Sequence, residues 1–235
     1  MKAFAFAAAL SLTFSFATLA QDSKPTVKPN GASRQPAEAA ANIDVAAIQK
    51  KIDEFTEAIK REPNRDVFYM ARGQTYQRLG KLSLAEADMN RAILLSPTNR
   101  DYFHVRAHLF AAQSRYREAF ADYSKAISCG PATHNLFLRQ GQAAFLFGDF
   151  ESAYIAAKNA QKLNENDVET LVLLGSAEQK KGFLEDSLNH LNRAIELNPR
   201  DGSTLNIRAD TYSKLGKSQL AKQDKARAKE LDSQR

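Results

Sequence analysis

The sequence has one cysteine, no tryptophan and only 10 glycines and 7 prolines in 235 residues. A lone cysteine cannot close an internal disulfide, so the fold does not rest on oxidation. It also excludes a zinc site built from several thiolates. So few glycines and prolines argue against short strands joined by tight turns, and for long helices. Charge is not concentrated either. The net +6 is spread along the chain, whereas a nucleic-acid binder gathers its cations in a stripe, so no nucleic-acid partner is expected. No glycine-rich phosphate loop, nucleophile elbow or paired-carboxylate arrangement stands out. No catalytic residue and no cofactor are assigned, and the chain does not read as an enzyme.

Met1-Lys2 opens onto residues 3–20, which carry no charge and end Ala17-Thr18-Leu19-Ala20. Small residues at Thr18 and Ala20 suit a signal peptidase, so residues 1–20 are expected to be a signal peptide cleaved after Ala20. The competing reading is an uncleaved anchor, because an uncharged stretch of this length lies at the lower edge of what spans a membrane. Cleavage would leave no integral span. The chain is then expected to be exported to the periplasm, or secreted where the source has none. Residues 21–43 carry Pro25, Pro29 and Pro36 without apolar periodicity and read as a flexible leader.

Self-similarity is the strongest signal. Stepping by 34 from Gly73 meets Ala107, Gly141, Gly175 and Ala209, all small. The same step from Ala92 meets Ala126, Ala160, Ala194 and Ala228, and from Ala85 it meets Ala119, Ala153, Ser187 and Ala221. Bulky residues recur at Tyr69, Phe103, Phe137, Leu171 and Leu205, and prolines at Pro63, Pro97, Pro131 and Pro199. Small residues in register let two helices approach closely, and the bulky ones fill the space beside them. Gly80, Gly148, Gly182 and Gly216 supply the left-handed residue that ends a helix, with Ser114 in that place once. The pattern divides the chain, without insertion or deletion, into units at 66–99, 100–133, 134–167, 168–201 and 202–235. Residues 44–65 hold Phe55, Ala58 and Pro63 in register and are expected to form an N-terminal capping helix. Lys225 replaces a bulky residue in the last helix, as a terminal unit's polar outer face requires.

This pattern resembles the tetratricopeptide repeat family over Asp66–Arg235. Arg72-Gly73-x-x-Tyr76-x-x-Leu79-Gly80, with Ala85 and Ala92, carries the likeness most closely. The resemblance implies an all-α, right-handed α-solenoid of antiparallel helix pairs. The third and fourth units depart from it: Ala144 and Glu178 stand where Tyr76, Phe110 and Tyr212 stand elsewhere, and Glu165 replaces a proline.

Arginine and aspartate sixteen residues apart appear together or vanish together. Arg72 goes with Asp88, Arg106 with Asp122 and Arg208 with Asp224, while the third unit has Gln140 and Ala156 and the fourth Leu174 and His190. These are expected to be structural ion pairs, partly exposed and of modest value. Cys129 falls in register with Leu95, Leu163, Leu197 and Leu231 and is expected to be a small core residue.

In the family resembled, first helices line a concave face where partners bind. That implies groove positions at Met70, Gln74 and Gln77, then His104 and His108, then Leu138, Gln142 and Phe145. It continues with Val172, Ser176 and Gln179 and ends with Asn206, Asp210 and Ser213. Phe145, taken as exposed, is the expected anchor. His104 and His108, four apart on one helix face, are expected to make binding pH-sensitive. They could hold a metal or small ligand, but two histidines alone assign no metal. Some members of the family clamp C-terminal carboxylates with a lysine and an asparagine; here those positions are Met70 and Gln74, so that clamp is missing. The expected function is a non-catalytic scaffold or adaptor of the cell envelope that binds an unidentified protein or peptide in the groove. The alternative is an accessory subunit of a secretion, pilus or outer-membrane assembly machine that docks by its convex face.

Overall fold

In the computed structural model of the chain the described residues are 45–234. The expected signal peptide and leader lie outside them. The described residues form eleven α-helices and no strand. A single helix, α1 (Val45–Arg61), precedes five pairs. Unit 1 is α2 (Asp66–Arg78) with α3 (Leu82–Leu95), and unit 2 is α4 (Arg100–Ala112) with α5 (Tyr116–Ser128). Unit 3 is α6 (His134–Phe147) with α7 (Phe150–Leu163), and unit 4 is α8 (Val168–Lys181) with α9 (Leu184–Leu197). Unit 5 is α10 (Gly202–Lys214) with α11 (Ser218–Ser233).

Every pair closes through the same turn. Gly80, Gly148, Gly182 and Gly216 have φ between 69° and 93°, and Ser114 adopts φ 59°, the sole non-glycine with positive φ among the described residues. That conformation bends the chain so that the next N–H reaches back over the helix end. Lys81 N–H donates to Tyr76 C=O, Arg115 to Phe110, Asp149 to Ala144, Phe183 to Glu178 and Lys217 to Tyr212, all at 2.9–3.0 Å. Carbonyls left without a partner at a helix C-terminus are thereby satisfied. At the other end of the units, the side chains of Asn99, Thr133, Asp167 and Asp201 accept from the first-turn N–H groups of α4, α6, α8 and α10.

Within a pair the helices meet over the small positions. Ala85, Ala92, Ala119, Ala126, Ala153 and Ala160 are fully buried. A Cβ placed on Gly175 would stand 2.7 Å from Leu191 Cγ and 3.2 Å from Ser187 O, so that crossing tolerates no side chain. In unit 3 Ala157 stands in the place of Met89, Tyr123 and Leu191. Leu173 and Leu174 of α8, together with Leu138, fill the volume it leaves. Between units, a second helix packs on the next first helix, and α2 touches α4, α6 touches α8 and α8 touches α10. First helices therefore lie on the inner side of the stack. Each unit leans only on its neighbours, which is the plan of an α-solenoid. No helix among the described residues is long and apolar enough to cross a membrane.

The reading of Cys129 as a core site is corrected. Its counterparts Leu163 and Leu197 are exposed, 54% and 38%, because the helix end turns outward there. Cys129 itself is half-buried against the core of unit 2.

Two substitutions test the turn and the crossing. Ser114→Gly is expected to raise stability by about 0.5–1 kcal/mol, since glycine removes the left-handed penalty while adding some unfolded-state entropy. A urea midpoint that fails to rise would refute strain at that turn. Gly175→Ala is expected to lower stability by about 1–3 kcal/mol through overpacking against Leu191, measured in the same way.

Candidate binding groove and its supporting network

The inner face is held by a polar network that runs from unit to unit. Arg72 Nε and Nη2 donate to the two oxygens of Asp88 at 2.8 and 2.7 Å. Arg106 does the same to Asp122 at 2.7 and 2.7 Å, and Arg208 to Asp224 at 2.8 and 2.7 Å. The remaining Nη1 of each reaches back sixteen residues, to Thr56 Oγ1, Asn90 Oδ1 and Asn192 Oδ1. Each guanidinium thus ties the second helix of the preceding unit to both helices of its own. It also lies over an aromatic ring on its own helix: Tyr76, Phe110 or Tyr212, 5.4–5.8 Å from the ring centre.

The expectation of partly exposed pairs holds for the arginines, whose side chains are 17–19% exposed, and is corrected for the aspartates. All three aspartates are buried, 6% exposed, because the ring and the neighbouring helices close over them. A fork-to-fork pair removed from water is costly to break from one side. The two irregular units solve the same position differently. In unit 3 Gln140 Nε2 donates to Ser124 Oγ at 2.9 Å, keeping the backward link alone. In unit 4 Leu174 replaces arginine, and buried Glu178 bonds His190 Nδ1 at 2.7 Å across the pair. Aromatic, arginine and aspartate are therefore present or absent as a set of three.

The expected groove residues divide into three kinds. Met70, Leu138 and Val172 are buried and belong to the packing of the first helices. Gln142, Ser176 and Gln179 are buried as well. Gln142 accepts from Arg139 Nη1 at 2.8 Å and donates to Glu169 at 3.2 Å. Gln179 donates to Thr211 Oγ1 at 2.8 Å and Ile207 O at 3.1 Å, and accepts from Lys214. These long amides turn sideways along the inner face and join adjacent first helices. Gln74, Asn206, Asp210 and Ser213 are exposed, and Gln77 is half-buried. Among the exposed set, Asp210 pairs with Lys225 at 3.1 Å. The expectation that Phe145 is exposed is corrected: it is half-buried, packed beside Leu138 and edge-on to Phe150 with ring centres 5.3 Å apart.

His104 and His108 face each other, with Nε2 atoms 3.0 Å apart. One donates and the other accepts, so at least one ring is neutral. Tyr123 lies edge-on beneath His108, ring centres 5.6 Å apart. Burial first, then His104 and Arg139, push His108 down to about 4. Burial also lowers His104, against the opposing pull of Asp101. Both are uncharged near neutrality, so the expected pH-sensitive charge in the groove is corrected to a neutral pair. Among the described residues no group of three or more His, Cys, Asp or Glu side chains is placed to hold a metal ion. Sequence reading missed Arg139, Glu169 and Lys214, the partners of the two glutamines. For Arg139 and Glu169 the only signal was opposite charge on adjacent first helices, and Lys214 gave none.

Two sequence models described as tetratricopeptide repeat match the chain, one at residues 67–99 and one at residues 190–223. The chain is similar to tetratricopeptide repeat protein 13 of Homo sapiens, 25% identical over 159 residues, covering 66% of this chain and 18% of that protein. It thus spans under a fifth of that relative's length. Among solved structures, YrrB, a protein of this repeat with an unusual peptide-binding site, aligns with TM-score 0.68 at 20% identity, over 77% of this chain and 93% of that one. MamA aligns with TM-score 0.67 at 16% identity, over 72% of this chain and 92% of that one. Both likenesses are of fold.

Asp122→Ala leaves the Arg106 guanidinium facing a buried gap and is expected to cost about 2–4 kcal/mol by chemical denaturation. A loss under about 0.5 kcal/mol would mean that the pair contributes little. The histidine pair links stability to pH. Unfolded, His108 takes its proton near the ordinary 6.5; folded, not until about 4. Its contribution is full above pH 6.5 and is lost as pH falls toward 4. The urea midpoint of the wild type is expected to fall more steeply across that window than that of His108→Gln. Parallel pH profiles would contradict a buried neutral histidine.

Proposed function

The chain is a tetratricopeptide-repeat protein, and from that premise we propose that it is a non-catalytic scaffold holding an extended protein segment against its first helices. One observation carries the reading. At the two ends of the inner face Gln74 and Asn206 are exposed. Their amides make no hydrogen bond to another described residue, while Gln142 and Gln179 between them are consumed in holding the units together. A free side-chain amide both donates and accepts, which is what the backbone of an extended peptide offers in return. The peptide-binding site named for YrrB supports this by analogy of fold. The neutral histidine pair adds a surface without charge, so the segment held there is recognised by hydrogen bonding and shape rather than by ion pairing.

The second reading, a subunit docked by its outer face, draws on exposed apolar residues of the second helices, Leu94 at 69% and Ile155 at 52%. Placement in the cell envelope is part of the proposal and rests on the uncharged run at residues 3–20 and the small residues that end it.

Photo-crosslinking side chains placed singly at Gln74, Asn206 and Leu94 separate the two readings. Adducts in the native cell from the first two positions and not from Leu94 are expected. Adducts from Leu94 alone would overturn groove binding in favour of the outer face. A mature N-terminus at Gln21 by mass spectrometry is expected for the exported form, and one at Met1 would remove that part of the proposal.

A further inference from the structure

The departures in units 3 and 4 converge on one place, the outer seam between α7 and α9. At the preceding seams the corresponding positions carry a branched aliphatic residue and a phenylalanine: Ile93 with Phe103, then Ile127 with Phe137. Ile93 and Ile127 pack onto the buried clusters beneath them. At this seam the two positions are Gln161 and Leu171, one polar and one smaller, and a cleft of about 450 Å³ opens between them. That volume is in the range that takes a small molecule. Glu165, which replaces the proline of other units, stands at its edge.

The back of the cleft is chemically prepared. His190 lines it, and its Nδ1 is 2.7 Å from Glu178 Oε2. Glu178 is 3% exposed, so its carboxylate needs a donor and fixes Nδ1–H in that role. Nε2 is then the ring's one remaining polar atom. A buried carboxylate behind an imidazole fixes the ring's orientation and supports a positive charge on it, the arrangement found behind ligating and proton-handling histidines. In units 1, 2 and 5 this position carries an aspartate consumed by its arginine; here the histidine is left with a free nitrogen.

The charged groups around it come from both flanking helices. Lys162, on α7, is exposed and makes no ion pair among the described residues. Arg193, on α9, is held in place by Asn166 Oδ1 at 2.9 and 3.3 Å and by Glu196 at 3.0 Å. Its planar fork is therefore fixed beside His190, three residues away on the same helix. Glu165 is the one acidic residue lining the cleft, and Glu178 behind it is covered by His190.

We propose that this cleft binds a small molecule bearing an oxyanion, a carboxylate or a phosphate, at His190, Lys162 and Arg193. The anion sits at Nε2 as that atom becomes a donor. The ring takes up a proton from solvent, and the Glu178 carboxylate on its far side balances the charge. Binding is accordingly coupled to proton uptake, and it lies on the face opposite the groove, so it does not depend on what the groove holds.

The test is isothermal titration of the full chain with sodium phosphate and, separately, sodium succinate. Ionic strength is fixed with sodium chloride, and two buffers of different ionisation enthalpy are used. Nitrogen-15 spectra of the histidines are recorded alongside. Saturable one-to-one binding of either probe, a buffer-dependent heat and a shift at His190 Nε2 are expected. Saturation by phosphate alone identifies a phosphoryl ligand, and saturation by succinate alone a carboxylate ligand. Lys162→Gln and Arg193→Gln are each expected to weaken binding about threefold to tenfold. Gln161→Ile with Leu171→Phe rebuilds the filling of the earlier seams and is expected to abolish binding while the circular dichroism is unchanged. No saturation by either probe, or undiminished affinity in the filled variant, overturns the proposal.

Discussion

Close approach of two backbones is what the rest of this structure depends on. At Gly175 there is no room for a methyl group, and at Ala107 and Ala209 one methyl fills the crossing. Such a crossing fixes where the second helix must begin, hence the length of the turn, hence the left-handed residue that closes it. It also fixes which side chains can meet across the pair. An arginine on the first helix and an aspartate sixteen residues on become neighbours only because the helices are this near. Repetition of a single crossing therefore carries with it the repetition of turn, core and ion pair.

That dependence explains what could be read from the sequence. Residue size at fixed spacing is conserved by geometry, so helix pairs, their turns and the partners of Arg72, Arg106 and Arg208 are legible at the level of single letters. The inner surface is different. Whether Gln142 or Gln179 faces water is decided by a charged or hydroxyl residue one unit away, and side-chain reach is not written in the register of its own unit. The neutrality of His108 is of the same kind, because Tyr123, which covers it, belongs to another helix and reads simply as core. Phe145 reads as exposed from its place on a first helix, but the ring packs against the cluster of Leu138, Leu173 and Leu174 and edge-on to Phe150, contacts that lie outside its own register.

The fourth unit shows two irregularities completing one another. Taken singly, Glu178 for an aromatic and His190 for an aspartate each look like damage: a buried acid and a lost ion pair. Together they form one hydrogen bond across the same two helices, with a leucine where the arginine's charge has gone. The loss of the aromatic, the arginine and the aspartate is then a single event, since the ring had been packed against the guanidinium that Leu174 replaces. The cleft on the outer seam has a separate origin, Gln161 and Leu171 in place of a larger pair, and it opens beside the His190 that this exchange introduced.

The network's interruption also divides the array by the kind of force that binds it. Units 1, 2 and 5 are each clamped by a buried, directional charge pair, whereas the joint of units 3 and 4 rests on leucines against small residues, with the pairs Arg139–Glu169 and Lys181–Glu151 at its more exposed rim. Apolar association weakens on cooling, whereas the cost of stripping water from ions shrinks on warming. Both kinds of joint therefore tighten on warming, but the apolar term levels off while the cost of burying ions goes on falling. Heat favours the clamped units over the leucine joint.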